Sequence, residues 1–404
     1  MYRYTVKPPA DPDDAFRRDP STQVGYAAIG AYAFWLYASG PAFSLLRAQL
    51  HLSYAMVGLY SAVWAAGAVL VGMGSGPLAG RLPRAVLLWG SAAVTTGGAA
   101  LFAATHTVAL TLLGVALMGL AGTTLLTCAQ AILSDQHGDR RGRALTEANV
   151  GAAACAVLAP LLLGLLQGTA PGWRLAYALP ALVLVGCFLR YRRRPLPATW
   201  TDQAGKGWRR LTLSYWLLAA MVAAGIAVEF CVIYFGAELL TSTGLTTSQA
   251  ATAMSAFYLG ILVGRVGGTW LTRRDGREIP VLWASLALAA AGFLLFWLAS
   301  SPGLAITGLF VCGVGVASLY PLSLALALAA APGNGDTAQS AVQLLGGALV
   351  VVAPFLLGGL ADDIGLRAAF TIEIVCIVAS AVLLGAGLKA ARADQPQGAG
   401  SLAR

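Results

Sequence analysis

The chain has 404 residues, 58% of them apolar and 11% charged, with a formal net charge of +9. A soluble domain carries about 25% charged residues, so this composition excludes a water-soluble globule. It equally excludes a disordered chain, which needs low hydrophobicity and high charge. The composition fits an all-α membrane protein that crosses the bilayer many times. At roughly 20 apolar residues per span, the length allows about twelve crossings.

Apolar stretches with short polar breaks predict spans at about 24–47, 55–79, 85–104, 107–133, 146–167 and 174–190, and again at 212–239, 248–272, 280–299, 303–331, 338–360 and 367–389. Spans in lipid must be helices here, because lipid offers no partner for exposed backbone groups and no alternating ten-residue barrel pattern is present. The first 22 residues hold Asp11, Asp13, Asp14 and Asp19 and lack the short apolar core of a signal peptide, so the first apolar run is expected to remain as a span.

Lys and Arg fall on alternate breaks. With the N-terminus inside, 22 lie in inside segments and 3 (Arg47, Arg174 and Arg367) outside, while Arg265 lies within a span. The positive-inside rule then places both termini in the cytoplasm of a cell with the protein in its inner or plasma membrane. Residues 1–23 are expected to form a cytoplasmic tail and 24–190 a first bundle of six helices. Residues 191–211 form a cytoplasmic linker headed by Arg192, Arg193 and Arg194, 212–389 a second bundle, and 390–404 a second tail.

The halves resemble each other. Leu158 to Gly164 matches Val352 to Gly358 at an offset of 194, which also maps Gly114 onto Gly308, Gly119 onto Gly313 and Asn149 onto Gln343. An offset of 192 maps Gly72, Gly76 and Arg81 onto Gly264, Gly268 and Arg273. Two pseudo-symmetric six-helix bundles meeting around a mid-depth site are a transporter design. Glycines at 114, 119, 122, 308, 313 and 315 would let these helices approach closely.

Several stretches carry a family resemblance. Gly76-Pro77-Leu78-Ala79-Gly80-Arg81-Leu82-Pro83-Arg84 is similar to the loop signature between helices 2 and 3 of the major facilitator superfamily, with Gly80 and Pro83 replacing its acid and a glycine. Gly138-Asp139-Arg140-Arg141-Gly142-Arg143-Ala144-Leu145 resembles that family's loop between helices 4 and 5, and Ala159-Pro160-Leu161-Leu162-Leu163-Gly164 its exporter element in helix 5. Glu229, Gly264-Arg265 and Ser318-Leu319-Tyr320-Pro321 are similar to the branch with sugar-permease-like carriers.

The resemblance implies a twelve-helix secondary carrier whose cavity is lined by helices 1, 4, 7 and 10. That places Tyr32, Trp35, Ser39, Thr123, Thr127, Gln130, Glu229, Ile233, Cys312, Ser318 and Tyr320 as substrate-site candidates. Gly76, Arg81 and Arg84 become gating-loop candidates. This set offers rings and hydroxyls but almost no Asn, Asp or Arg, and it suits an amphipathic organic molecule.

Ionisable groups at bilayer depth are costly and therefore candidates for function. Glu229 lies near the middle of span 7 and Arg265 in span 8, with Cα heights expected to differ by about 12 Å at ~1.5 Å rise per residue. Three roles are open to them. A carboxyl in a low-dielectric cavity can titrate near neutral pH, which makes Glu229 a proton carrier. Arg265 can bind an anionic substrate group through its guanidinium fork. The two can also form a fixed structural pair. Glu373, in the usually peripheral helix 12, is expected to pair or snorkel. Glu147 is expected to make a helix-end or gate contact, and Glu238 and Arg47 to be solvated at outer ends. His51, His106 and His137 fall in loops or span ends, and the six cysteines lie in apolar runs without CxxC spacing, so no metal, catalytic site or cofactor is expected.

The expected function is therefore non-enzymatic: proton-coupled export of a small amphipathic drug or metabolite by a monomer. The alternatives are proton-linked uptake of a sugar or organic acid and, in another class, a non-transporting membrane receptor. The expected partners are the solute, protons and the lipid bilayer; nucleic acid is not among them.

Overall fold

The computed structural model describes residues 18–79, 82–170, 172–194, 196, 211–274, 276–331 and 335–393. Arg81, Asp275 and most of the linker lie outside the described residues. Twelve long helices run α1 Pro20–Leu50, α2 Tyr54–Ala79, α3 Arg84–Ala104, α4 Val108–His137, α5 Arg141–Leu166, α6 Arg174–Tyr191 and α7 Leu213–Thr241, then α8 Thr247–Leu271, α9 Glu278–Leu298, α10 Pro302–Ala329, α11 Gly335–Ile364 and α12 Leu366–Ala393. Helices α8, α10 and α12 are each interrupted once, near Met254, Ala317 and Phe370. No strand occurs among the described residues.

Local chemistry sets the helix ends. Asp19 caps α1 by accepting from the Thr22 N–H at 2.8 Å, with Pro20 in the first turn. Thr246 and Gln249 close a reciprocal capping box on α8. Gly365, at φ 85°, turns the chain from α11 into α12, in a region that favours glycine.

Eleven of these helices are long and apolar enough to cross a membrane. The twelfth, α1, has 31 residues and is buried along most of its length. A helix surrounded by protein needs less apolarity than one facing lipid, which is why α1 carries Ser, Gly, Tyr and Gln. An even number of crossings puts the start of α1 and the end of α12 on one face, called here the terminal face; the opposite one is the distal face.

The repeat is visible in the packing. The α3–α4 pairing is matched by α9–α10, and the halves join through α2 against α11 and, symmetrically, α5 against α8. Pro160 in α5 and Pro354 in α11, equivalent in the repeat, both lie inside helices. Gly114 meets Gly98, Gly119 meets Trp64, and Gly308 and Gly315 meet Phe296 and Ala289 at backbone contact, as small residues at helix crossings allow.

Helices α1, α4 and α5 run past their predicted limits on the terminal face, because apolarity marks the depth of hydrocarbon and polar ends still pack. Glu147 accepts from Arg18 at 2.8 and 3.0 Å, from Tyr26 at 3.0 Å and from Arg143 at 3.2 Å. Asp19 accepts from Gln136 at 2.6 Å, and Thr22 and His137 lie 2.8 Å apart. These bonds bind α1, α4 and α5 into one unit.

Candidate functional site

A cavity of about 220 Å³ lies between α1, α4, α5 and α8. Its walls follow helical periodicity. Helix α1 gives Ile29, Tyr32, Ala33, Leu36 and Tyr37; α5 gives Asn149, Ala152, Ala153 and Ala156; α8 gives Tyr258, Ile261, Leu262 and Arg265; α4 adds Leu126 and Gln130. Within each helix these residues recur every three or four positions, which is one face.

The distal side of this cavity is closed by contacts between the two halves. Ser248 Oγ donates to the Gly164 carbonyl at 2.7 Å and Ser255 Oγ to the Val157 carbonyl at 3.0 Å, both across α5–α8. Asp362 on α11 accepts from the Tyr54 and Ala55 N–H groups at the start of α2, each at 2.8 Å. Arg47 on α1 pairs with Glu238 on α7 at 3.2 Å and lies 3.8 Å over the Tyr54 ring. Arg47 and Glu238 are therefore not solvated ends, as expected from sequence, but a joint between halves: only 6% of Glu238 is exposed. At mid-depth the Tyr258 hydroxyl donates to the Tyr37 carbonyl at 3.2 Å, and the two rings meet edge-on at 5.0 Å.

The sequence-predicted residues divide by face. Tyr32 and Gln130 line the cavity, and the Tyr32 ring lies 6.3 Å from that of Trp64. Thr123 and Thr127 are half-buried, their hydroxyls bonded to the Gly119 and Thr123 carbonyls of their own helix. Trp35 is fully buried, and its indole N–H donates to the Tyr177 carbonyl on α6 at 3.1 Å. Ser39 is buried and donates to the Leu36 carbonyl at 2.5 Å. Ile233 is buried where α7 meets Gly40. Trp35, Ser39 and Ile233 thus pack helix against helix and are not among the cavity-lining residues. Ser318, also buried, lines a separate groove with Gly264 and Gly268 between α8, α9 and α10, and Cys312 is buried in α10. Tyr320 is 37% exposed.

Glu229 is half-buried on α7 and lies within electrostatic range of Arg265, Tyr37, Tyr258 and Tyr320. It forms no ion pair with Arg265 within 4.0 Å. Arg265 is exposed on the cavity wall. Of the gating-loop candidates, Arg84 opens α3, is buried and donates to Asp135 at the end of α4, tying α3 to α4. Gly76 falls in the last part of α2 and Arg81 outside the described residues.

Tyr37, Asn149 and Tyr258 were not among the predicted cavity residues. The spacing Tyr258-x-x-Ile261-Leu262-x-x-Arg265 carried the signal, since any residue one or two turns from Arg265 on its own face must share its surroundings.

Glu373 departs furthest from expectation. It is fully buried, and neither carboxyl oxygen has a hydrogen-bond partner. It neither snorkels nor pairs, because its position in α12 faces α7 and α10, beside Cys231, Cys312 and Cys376. An unsatisfied buried polar group costs about 1–3 kcal/mol. Glu373→Leu is therefore expected to raise the thermal unfolding temperature; a lowered one would show that the carboxyl holds a stabilising contact. Among the described residues, no cluster of His, Cys, Asp or Glu could hold a metal ion.

Comparison with known proteins adds the following. A family model described as Major Facilitator Superfamily matches residues 26–238 and 217–402. A glucose/galactose transporter of Brucella abortus biovar 1 (strain 9-941) is 29% identical over 244 residues, 58% of this chain and 54% of that protein. The same values hold for the glucose/galactose transporter of Brucella abortus strain 2308. The match thus spans about half the length of these curated relatives. Among solved structures, a bacterial homolog of the human lysosomal transporter Spinster, inward-facing and unoccupied, aligns with a TM-score of 0.74 at 17% identity, covering 93% of this chain and 98% of its own. The nucleoside transporter NupG aligns at 0.70 and 14% identity, covering 92% and 99%. At these identities the likeness is one of fold.

Proposed function

The chain belongs to the major facilitator superfamily of transporters, and we propose that it takes up a small polar organic solute, a sugar or an organic acid, together with protons. The observation that carries this reading is the cavity. Drug-sized ligands occupy pockets of ~300–1,000 Å³, and about 220 Å³ suits a smaller molecule. The wall also holds two amides, Gln130 and Asn149, three tyrosines and Arg265. A hydroxylated solute loses its water on entry and must recover those hydrogen bonds from the protein, and this lining can supply them. Amphipathic drug export was expected from a set almost without Asn or Arg; the observed wall contains both. The partial relationship to glucose/galactose transporters supports the same choice.

In this reading, 24–190 and 212–389 are the two bundles that rock about the cavity, and residues 191–211 join them. The basic terminal face is cytoplasmic, a single chain suffices, and Glu229 carries the proton. The closed distal contacts then describe the inward-facing state of the cycle.

Uptake into proteoliposomes tests it. With the outside made acidic, a panel of labelled hexoses and hexuronates is expected to include at least one solute that accumulates above equilibrium, and a protonophore should collapse that accumulation. A panel that binds but shows no gradient-dependent flux would favour the receptor instead.

A further inference from the structure

Arg265 carries a positive charge on the wall of a cavity otherwise lined by apolar and neutral polar groups. No carboxylate among the described residues lies within 4.0 Å of it, Glu229 included. Exposed on that wall, and within electrostatic range of Glu229 without pairing to it, the guanidinium keeps hydrogen-bond donors for a solute. The Tyr37 hydroxyl lies within interaction range of Arg265, and the amides of Gln130 and Asn149 line the same cavity. A planar guanidinium flanked by neutral hydrogen-bonding groups matches a solute with one carboxylate and several hydroxyls.

We propose that Arg265, with Tyr37, Gln130 and Asn149, forms a seat for the carboxylate end of a hydroxylated acid of hexuronate size. This rests on the carrier reading above and narrows it from a sugar or organic acid to a sugar acid. One guanidinium balances one negative charge. A phosphate monoester carries about 1.5 to 2, so one guanidinium leaves part of its charge unbalanced and the seat favours the monoanion. Ala33, Ala152, Ala153 and Ile261 also line the cavity and offer apolar contact to the C–H face of a sugar ring.

Equilibrium binding to the purified full chain, with D-glucuronate, D-glucose and D-glucose 6-phosphate as probes, tests the seat. A charge-assisted hydrogen-bonded pair contributes about 10- to 100-fold in affinity. Wild-type protein should hold D-glucuronate at least about 10-fold more tightly than the other two. In Arg265→Gln the preference for the acid should fall to about unity, and Arg265→Lys should restore part of it. Equal or tighter binding of D-glucose by the wild type would overturn the seat, whatever the variants do. So would an Arg265→Gln protein that keeps the acid preference, and so would preference for the phosphate. The two levels of the proposal separate in proteoliposomes. Concentrative uptake of D-glucose without preference for D-glucuronate removes the seat and leaves the carrier standing, whereas no proton-driven flux of any probe removes both.

Discussion

Glu229→Gln should abolish accumulation against a gradient while exchange across the membrane continues. Glutamine keeps the size of the side chain and its hydrogen-bonding capacity but cannot take up or release a proton. Glu229 sits on α7, the helix that meets α1 at the junction of the halves, within electrostatic range of Arg265 on the cavity wall. Glu229 is not among the cavity-lining residues, so its proposed coupling to the solute runs through Arg265. One proton per cycle and one pH unit of gradient support up to about tenfold accumulation, because a pH unit corresponds to about 1.4 kcal/mol. The variant's accumulation ratio should fall to one, with counterflow of unlabelled against labelled solute still measurable. Undiminished accumulation would remove Glu229 from the coupling.

Gly40→Ala should be nearly as damaging, by a different route. A Cβ placed on Gly40 would lie 1.8 Å from the Ile233 carbonyl oxygen. That oxygen belongs to the α7 backbone and cannot move aside as a flexible side chain would. Helices α1 and α7 would have to separate where the distal halves close. Overpacking of this kind costs ~1–3 kcal/mol, so the closed distal state should lose about 5- to 150-fold in population relative to the open one. Gly90→Ala, where the added carbon meets nothing within 4 Å, serves as the control. Transport slowed tenfold or more in the first variant and unchanged in the second is the expected pattern; equal rates would show that the α1–α7 crossing does not limit the cycle.

Much of the architecture was legible before any coordinates. Twelve apolar stretches and the repeat around Pro160 and Pro354 led to two halves of six helices, because lipid exclusion and backbone satisfaction leave few alternatives. Helix ends were less legible. Asp19, His137 and Glu147 are polar, and hydropathy cannot report that polar ends bind each other. The cavity was legible only in part. Tyr32 and Gln130 line it, but Trp35, three residues beyond Tyr32, donates to Tyr177 on α6, and Ser39, seven beyond, is buried and donates back to Leu36 of its own helix. Choosing between faces of a helix that is buried nearly all round needs its neighbours, and composition does not supply them. Arg47 and Glu238 show the same limit. Each looks like an exposed end residue, and their pairing across 191 positions follows only from the meeting of α1 with α7. Glu373 was misplaced because the rule that carboxyls avoid burial without a partner fails there.

The central claim is that the two halves alternate about the cavity, and spin-label distances on both faces test it most directly. One pair replaces Ala48 and Ser242 by cysteine on the distal side, and a second replaces Arg141 and Arg273 on the terminal side. Adding transported solute and lowering the pH should lengthen the distal distance while shortening the terminal one, each moving between the same two populations. Distances that stay single and unchanged under every solute and pH condition would contradict alternation.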